Sequence, residues 1–479
     1  MTDNHAPVRG INEFKNTAQS VGRAGGKRRQ APNYISTTNA CKLCKPMGAA
    51  LAFRGIEGSM PFLHGSQGCA TYMRRYIISH FNEPMDIASS SLGEKHAVFG
   101  GGPNLKLGLT NIIKKFHPRF IGIASTCLTE TIGDDVPMLI NEFIRENESA
   151  SELPALVSVS TPSYSGTHME GFHAAVKAVL KTLVEPGQGE DMINLLPGFL
   201  SPAEIRHLQE IVEDFGLRGV VLPDISETLD GPALAEHELI PRGGTKISAI
   251  RAMGRARATL EFGRTMADSD SGGSWLARHK GVENYRLGTP IGLRETDRFL
   301  AVLEQLSGIT TPEKYLSERG RLLDSFTDGH KYVFGKRAVV YGEEDLVAGM
   351  TSFLAEIGVQ PVLCASGGKS GKLQEAVSEV SHDLSLETPV VQEGTDFYDI
   401  AEQTEALKPD FIIGHSKGYH LARKLAIPMI RVGFPIHDRI GGQRLMHIGY
   451  RGAQNLFDLI ANTLLDKKQS DSEIGYSYM

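Results

Sequence analysis

Short, continuous apolar runs alternate along this chain with stretches whose apolar positions recur every three to four residues. "PRFIGIAST" (118–126) reads as a short buried strand, preceded by the helical "NLKLGLTNIIKKF". "ALVSVSTPS" (155–163) is a second strand, followed by the helical "FHAAVKAVLKTLV". "MINLLPGF", "RGVVLPDI", "RAVVYG", "QPVLCASGG", "DFIIGHSKG" and "IPMIRVGFP" repeat the strand pattern, and nearly all end in Gly, Pro or Ser. Runs that are apolar at successive positions belong to strands covered on both faces, and strand–helix alternation predicts parallel sheets between helix layers.

The units are too many for one sheet of ordinary width, so the pattern predicts an α/β chain of several Rossmann-like domains. Boundaries fall near 190, after "EPGQGED", and near 330, around "SFTDGHKYVFGKR". This divides the chain into an extended arm over 1–40, rich in Gly, Asn, Lys and Arg, and units over 41–190, 191–330 and 331–479. "ADSDSGGSWLARH" reads as a mobile loop. In parallel sheets the loops at the carboxyl ends of strands build the sites.

Composition narrows the class. The 479 residues are 41% hydrophobic and 22% charged, with net charge −6, which gives no reason to expect a nucleic-acid partner. No apolar run approaches the roughly 18–20 residues of a membrane span. The polar, basic "RAGGKRRQ" lacks the apolar centre of a signal peptide, so the expected location is the cytoplasm.

Five cysteines in a long cytosolic chain do not read as a disulfide framework. Cys364 in "PVLCASGG" reads as a core cysteine. Cys44 sits in "CKLCKPMGAALAF", where Pro46 and Gly48 mark a turn before a helix. Cys69 sits in "LHGSQGCATYMRRYIISHF", a glycine-hinged loop that presents the cysteine and then enters a helix. Cys127 follows the strand "FIGIAST" in "STCLTETIGDD". Backbone N–H groups in such turns favour a thiolate and can donate to cluster sulfides. The single CxxC, Cys41 and Cys44, has no second pair and so suits zinc poorly; Cys41 reads as a non-ligand. Three thiolates leave a four-cysteine iron–sulfur cubane incomplete, which makes another ligand or another chain part of the reading. His64 is a candidate proton donor or a partner for backbone groups. Arg74 and Arg75 are candidates for balancing cluster charge or for interface ion pairs.

"SGGKSGKL" (366–373) nearly matches the phosphate-binding pattern G-x-x-x-x-G-K-[ST]. Ser366 stands where the first Gly should be and Leu373 where the Mg²⁺-binding hydroxyl should be, so a surface turn is expected. "FGGGPN" lacks the strand–glycine–helix context. ATP hydrolysis, if the system uses it, falls to another protein.

"KPMGAALAFRGI", "HGSQGCATYMRRYIISHFNEPMDIASSS", "FGGGPNLKLGLTNI" and "IGIASTCLTETIGDDV" together resemble the β-type subunits of nitrogenase component 1. "GGTKISAIRAMGRARATL" and "GHSKGYHLARKLAIPMIRVGFPIHDRIGGQRLMHIGYRGAQNL" extend the resemblance over roughly 38–465. It implies three Rossmann-like domains and an α₂β₂ assembly with a homologous α-type subunit. It also implies a P-cluster-type iron–sulfur cluster, 8Fe–7S or alternatively 4Fe–4S, at each interface. Within the resemblance the ligands carry over to Cys44, Cys69 and Cys127. Ser163 in "TPSYSGTH" matches the serine that can ligate the oxidised cluster, and Tyr72 matches a neighbour of the cluster loop. The implied electron donor is a separate ATP-hydrolysing iron protein, and the substrate-reducing cofactor belongs to the α-type chain. "CKLCKPMGAALAFRGIEG" with "ATYMRRYIISHF" looks closer to cofactor-assembly scaffold and methylthio-alkane reductase β subunits than to molybdenum–iron β subunits. Retention of all three cysteines and Ser163 favours a working reductase over a scaffold.

Overall fold

Thirteen strands form three sheets in the computed structural model, which describes residues 39–147, 153–236, 238–382 and 387–474. The arm expected over 1–40 lies outside the described residues apart from positions 39 and 40. Every strand pairing within the sheets is parallel.

The first sheet contains β1 (Ser59–His64), β2 (Ala88–Ser89), β3 (Phe120–Ser125) and β4 (Ala155–Val159), in the order β2-β1-β3-β4. The second contains β5 (Ile193–Leu196), β6 (Gly219–Val221), β7 (Ala258–Phe262) and β8 (Glu283–Leu287), ordered β6-β5-β7-β8. The third contains β9 (Arg337–Gly342), β10 (Gln360–Ser366), β11 (Val390–Gln392), β12 (Phe411–Gly414) and β13 (Met429–Arg431), ordered β11-β10-β9-β12-β13. Seven helices accompany the first sheet: α1 (Lys45–Arg54), α2 (Gln67–Phe81), α3 (His96–Phe99), α4 (Gly102–Phe116), α5 (Cys127–Ile132), α6 (Val136–Glu146) and α7 (His168–Leu183).

The continuous apolar runs become the central strands. β3 and β12 are buried at every position, as strands covered by helices on both faces require. β1, β7 and β8 escape the pattern because "SMPFLH" carries Ser, Pro and His, while "ATLEF" and "ENYRL" carry charges. Glu261 on β7 is buried because three groups satisfy its carboxylate. The Ser271 hydroxyl, the Gly273 N–H at 3.1 Å and the Asn284 amide at 3.0 Å all donate to it. That network corrects the loop expected over "ADSDSGGSWLARH". Its second half is a helix, Gly272–Lys280, because Ser271 accepts the Ser274 N–H at 2.8 Å and Glu261 satisfies a second free donor of the first turn.

Pro46 and Gly48 do not form a turn ahead of a helix; both lie within α1. Proline fits there because the first-turn N–H it lacks has no acceptor in a helix. Gly48 has a packing reason. A Cβ at this position would lie 1.6 Å from the His168 carbonyl oxygen, and a Cβ on Gly171 would lie 1.9 Å from the Lys45 carbonyl oxygen. The two glycines therefore let α1 and α7 meet backbone against backbone, and α1 is buried over most of its length. No helix among the described residues is long and apolar enough to cross a membrane.

Candidate cluster site

Parallel pairing places the carboxyl ends of β1, β3 and β4 along one edge of the first sheet. His64 lies opposite Ser125, and Ala124 opposite Val159. The chain leaving β1 reaches Cys69, the chain leaving β3 reaches Cys127, and the chain leaving β4 reaches Ser163. Cys44 arrives from the other side at the start of α1. That end is tied down by the His168 N–H, which donates to the Leu43 carbonyl at 3.1 Å, and by the Lys45 ammonium, which donates to the Ser165 hydroxyl at 3.2 Å.

The cysteines are not simply in loops, which corrects the sequence reading. Cys44 is the N-cap of α1, Cys127 is the first residue of α5, and Cys69 lies in the first turn of α2 behind its cap Ser66. Each sulfur thus stands at a helix start, where free N–H groups and the helix dipole favour a thiolate. Burial and crowding oppose this. The Cys44 thiol pKa is raised by burial, an effect the Ser163 hydrogen bond offsets in part and the nearby Cys127 adds to. The Cys69 pKa is raised by burial, then by Cys44 and Cys127. Opposition wins at both sites, so two of the three bare thiols resist ionisation.

That electrostatic result tests whether the residues fit an iron–sulfur group. Two of these half-buried sulfurs, Cys44 and Cys69, are held above the ordinary thiol range and are stable as thiolates only beside positive charge, which bound iron supplies. The backbone N–H of Ser163 donates to the Cys127 sulfur at 3.2 Å, a bond of the kind that tunes cluster sulfur. Among the described residues no group of three or more His, Cys, Asp or Glu is disposed around a single metal ion. The set therefore fits one wall of a larger group, with the remaining ligands coming from elsewhere. Tyr72, which packs on Tyr76 at 4.8 Å, and Tyr164 beside Ser163 are exposed on these same elements. Val98 and Phe99 of α3, which contacts α5, are exposed as well, at 78% and 84%. These exposed apolar side chains lie on the elements that carry the cysteines and Ser163, and on the helix packed against one of them.

The remaining candidates separate from this face. Cys364 is fully buried and burial pushes its thiol up to about 12. Cys41 is buried 3.6 Å from the His415 Nε2, and burial pushes it up to about 12 as well. His64 is buried between the Ser90 hydroxyl at 2.9 Å and the Asp134 carboxylate at 3.1 Å. Burial lowers its pKa against the pull of Asp134, so it acts as a neutral brace between Ser90, just after β2, and Asp134, between α5 and α6. Arg74 donates to the Met85 carbonyl at 2.8 Å and pairs with Asp86 at 3.3 Å, which assigns it to local structure; Arg75 is exposed.

"SGGKSGKL" does run from a strand, β10, to a helix, Leu373–Ser381. Its N–H groups are nevertheless taken: Ser370 donates to Glu344 at 3.1 Å, and Gly371 and Leu373 donate to Glu393 at 3.0 and 2.9 Å. Carboxylates occupy the positions a phosphate would need. In "FGGGPN" the Gly101 N–H donates to Asp134 at 3.1 Å, with the same consequence.

A family model described as nitrogenase component 1 type oxidoreductase matches residues 44–465. The chain is 35% identical to a nitrogenase molybdenum-iron protein beta chain of Clostridium pasteurianum, over 90% of this chain and 93% of that one. It is 36% identical to a protein of the same description from Methanothermobacter thermautotrophicus, over 89% and 94%. Among solved structures, a chain of nitrogenase Cp1 at pH 6.5 superposes with a TM-score of 0.89 at 33% identity, covering 95% of this chain and 99% of that one.

Proposed function

Because the chain belongs to the nitrogenase component 1 type oxidoreductases, we propose that it is the β-type subunit of a nitrogenase-like reductase of the methylthio-alkane reductase type. Its role is to pass electrons from an ATP-dependent iron protein toward a cofactor held by a homologous α-type subunit, within an α₂β₂ heterotetramer. The observation that carries this reading is the convergence of Cys44, Cys69, Cys127 and Ser163 on one open face.

Cys44, Cys69 and Cys127 are the residues that would hold a P-cluster-type iron–sulfur cluster, with the α-type subunit supplying the other ligands. Such a cluster, when bound, supplies a low-potential electron store. The chain's own contribution is structural and electrostatic. Each sulfur stands at the start of a helix, Ser163 offers an N–H to Cys127 and a hydroxyl to Cys44, and the α1–α7 contact fixes Cys44 against the Ser163 turn. The exposed Tyr72, Val98, Phe99 and Tyr164 support a partner subunit over this face. The occupied N–H groups of "SGGKSGKL" support a separate protein as the ATPase.

A second reading, a subunit of a nitrogen-fixing molybdenum–iron nitrogenase, is favoured by the descriptions of the relatives at 35–36% identity. A third, the β subunit of a cofactor-assembly scaffold, keeps the same fold but no turnover. The complex purified anaerobically with its α-type partner, supplied with the matching iron protein and MgATP, separates the three. Reduction of ethyl methyl sulfide in preference to N₂ supports the proposal. Preferred reduction of N₂ replaces it with the second reading. Absence of turnover, with transfer of a cofactor that activates a separate apo-nitrogenase, replaces it with the third.

A further inference from the structure

Behind the cluster face, two adjoining chambers of about 70 and 240 Å³ open where elements of all three sheets meet. The inner chamber lies past the carboxyl ends of β5, β7, β8 and β9, the place where α/β sheets carry ligands. α7 contributes Met169 and His173 to both chambers, and the start of the helix Glu344–Glu356 after β9 contributes its cap Glu343 and first-turn Asp345 to both. The proposed cluster uses none of these groups.

Several polar atoms here have no protein partner. His80 is 3% exposed and lines the inner chamber. Its Nδ1 accepts the Ile436 backbone N–H at 2.9 Å, and burial drives its pKa down to about 3. The neutral ring therefore carries its proton on Nε2, where no acceptor meets it. Glu343 is buried, and one carboxylate oxygen is paired with the His168 Nε2 at 2.9 Å while the other is left to the chamber. Burial is the strongest single influence and works to raise the Glu343 pKa, but the His168 bond and charge, His415 and a backbone N–H together outweigh it, and the carboxyl stays below its ordinary range. Asp345 uses one oxygen for the backbone N–H groups of Arg264 and Thr265, at 2.7 and 2.9 Å, and leaves the other unused.

The charge of the inner chamber has one sign. Glu204, Glu343 and Asp345 line it, and no Lys or Arg does. Its remaining wall is largely apolar and aromatic, including Phe81, Phe199 and Phe262, and such rings favour an organic cation. The metal alternative lacks its donor set, since among the described residues no three His, Cys, Asp or Glu converge on one ion. Two carboxylate oxygens seek donors, and one buried N–H seeks an acceptor. A molecule that carries both an ammonium and a hydroxyl supplies all three.

We propose that the inner chamber binds a small amino alcohol in its ammonium form. The ammonium bridges Glu343 and Asp345, and the hydroxyl accepts the His80 Nε2–H.

The test uses the full chain in its purified complex, with ethanolammonium as probe and ethylene glycol as the uncharged control, followed by saturation-transfer NMR and calorimetry. Ethanolammonium is expected to bind one site per chain with a Kd of about 1 mM or tighter, and ethylene glycol is expected not to bind. Asp345→Asn keeps an acceptor for the two backbone N–H groups and should weaken binding at least tenfold. Met169→Trp fills the chamber from the α7 side and should abolish binding. Both variants are read only after thermal unfolding matches the parent chain, and either one suffices. Three outcomes overturn the proposal: no saturable binding, which leaves the chamber to water; binding unchanged in the folded variants, which puts the site elsewhere; or stoichiometric Mn²⁺ or Zn²⁺ uptake with no ethanolammonium bound. None of these readouts involves reductase turnover, so failure here is distinct from failure of the proposed function.

Discussion

Ser163 donates its backbone N–H to the Cys127 sulfur across 3.2 Å, and its side chain hydrogen-bonds Cys44. One residue thus touches two sulfurs that come from different helix starts. The two bonds separate experimentally, because only one uses the side chain. Ser163→Ala keeps the N–H to Cys127 and removes the hydroxyl from Cys44. The expected outcome is iron content close to that of the parent chain, with an altered electron paramagnetic resonance spectrum after oxidation. An unchanged oxidised spectrum would remove Ser163 from the cluster's surroundings.

Four of the five cysteines should divide sharply. Cys44→Ala, Cys69→Ala and Cys127→Ala are each expected to lose most of the iron that purifies with the chain. Cys364→Ala is expected to keep it and to cost about 1 kcal/mol in unfolding, because it removes one small buried side chain from the core. Iron analysis of the four variants, with denaturant titration of the last, checks both halves. Full iron in Cys69→Ala would sink the cluster assignment.

Gly48→Ala places a methyl group 1.6 Å from a backbone oxygen that has no room to retreat. About 3 kcal/mol or more of destabilisation is expected, at the upper end of overpacking effects. Gly171→Ala, on the facing helix, should behave alike. If both were made together, the loss should be less than additive, since the first already separates α1 from α7. Urea unfolding of the two single variants and the double variant measures this.

Glu356 gives a pH prediction. Its carboxylate oxygens accept the N–H groups of Leu293 and Arg294 at 2.7 and 2.9 Å, which caps the helix Gly292–Ser307, yet burial raises its pKa from 4.5 to about 7. The folded chain therefore holds this proton more tightly than the unfolded chain does. Stability from this group is present in full below pH 4.5 and is lost as the pH rises toward 7. The rise from 4.5 to about 7, at about 1.4 kcal/mol per pH unit, amounts to roughly 3–4 kcal/mol. Unfolding free energies measured between pH 4.5 and 7 should fall less steeply in Glu356→Gln than in the parent chain. Parallel slopes would remove Glu356 as the source.

Nucleotide binding should be absent from the chain itself. Glu344 and Glu393 hold the N–H groups that a phosphate would use in "SGGKSGKL". Titration with a fluorescent ATP analogue is expected to show no saturation up to millimolar concentration, and Lys372→Ala should change nothing. Saturable binding that is lost in that variant would contradict the assignment of the loop as a carboxylate-filled turn.

Strands that are buried on both faces were legible in the chain, because continuous apolar runs such as "FIGIAS" and "FIIG" have no other stable place in a helix-covered parallel sheet. The sequence also carried the likeness to nitrogenase component 1, and with it Cys44, Cys69, Cys127 and Ser163 as the residues to watch. β7 and β8, whose charges stand among their apolar residues, were illegible. Glu261 makes "ATLEF" look like surface until Ser271, Gly273 and Asn284 are seen around its carboxylate. Gly48 read as a turn because local pattern reports a glycine's freedom, whereas its use here is to admit a neighbouring helix backbone. Folding in three dimensions is what sets the sulfurs at three helix starts and brings His80, Glu343 and Asp345 into one chamber. The physical reason is range. Hydrophobic periodicity records what each segment buries locally. Convergence of segments far apart in the chain is set by strand order and parallel direction, which bring the carboxyl ends of β1, β3 and β4 to one edge.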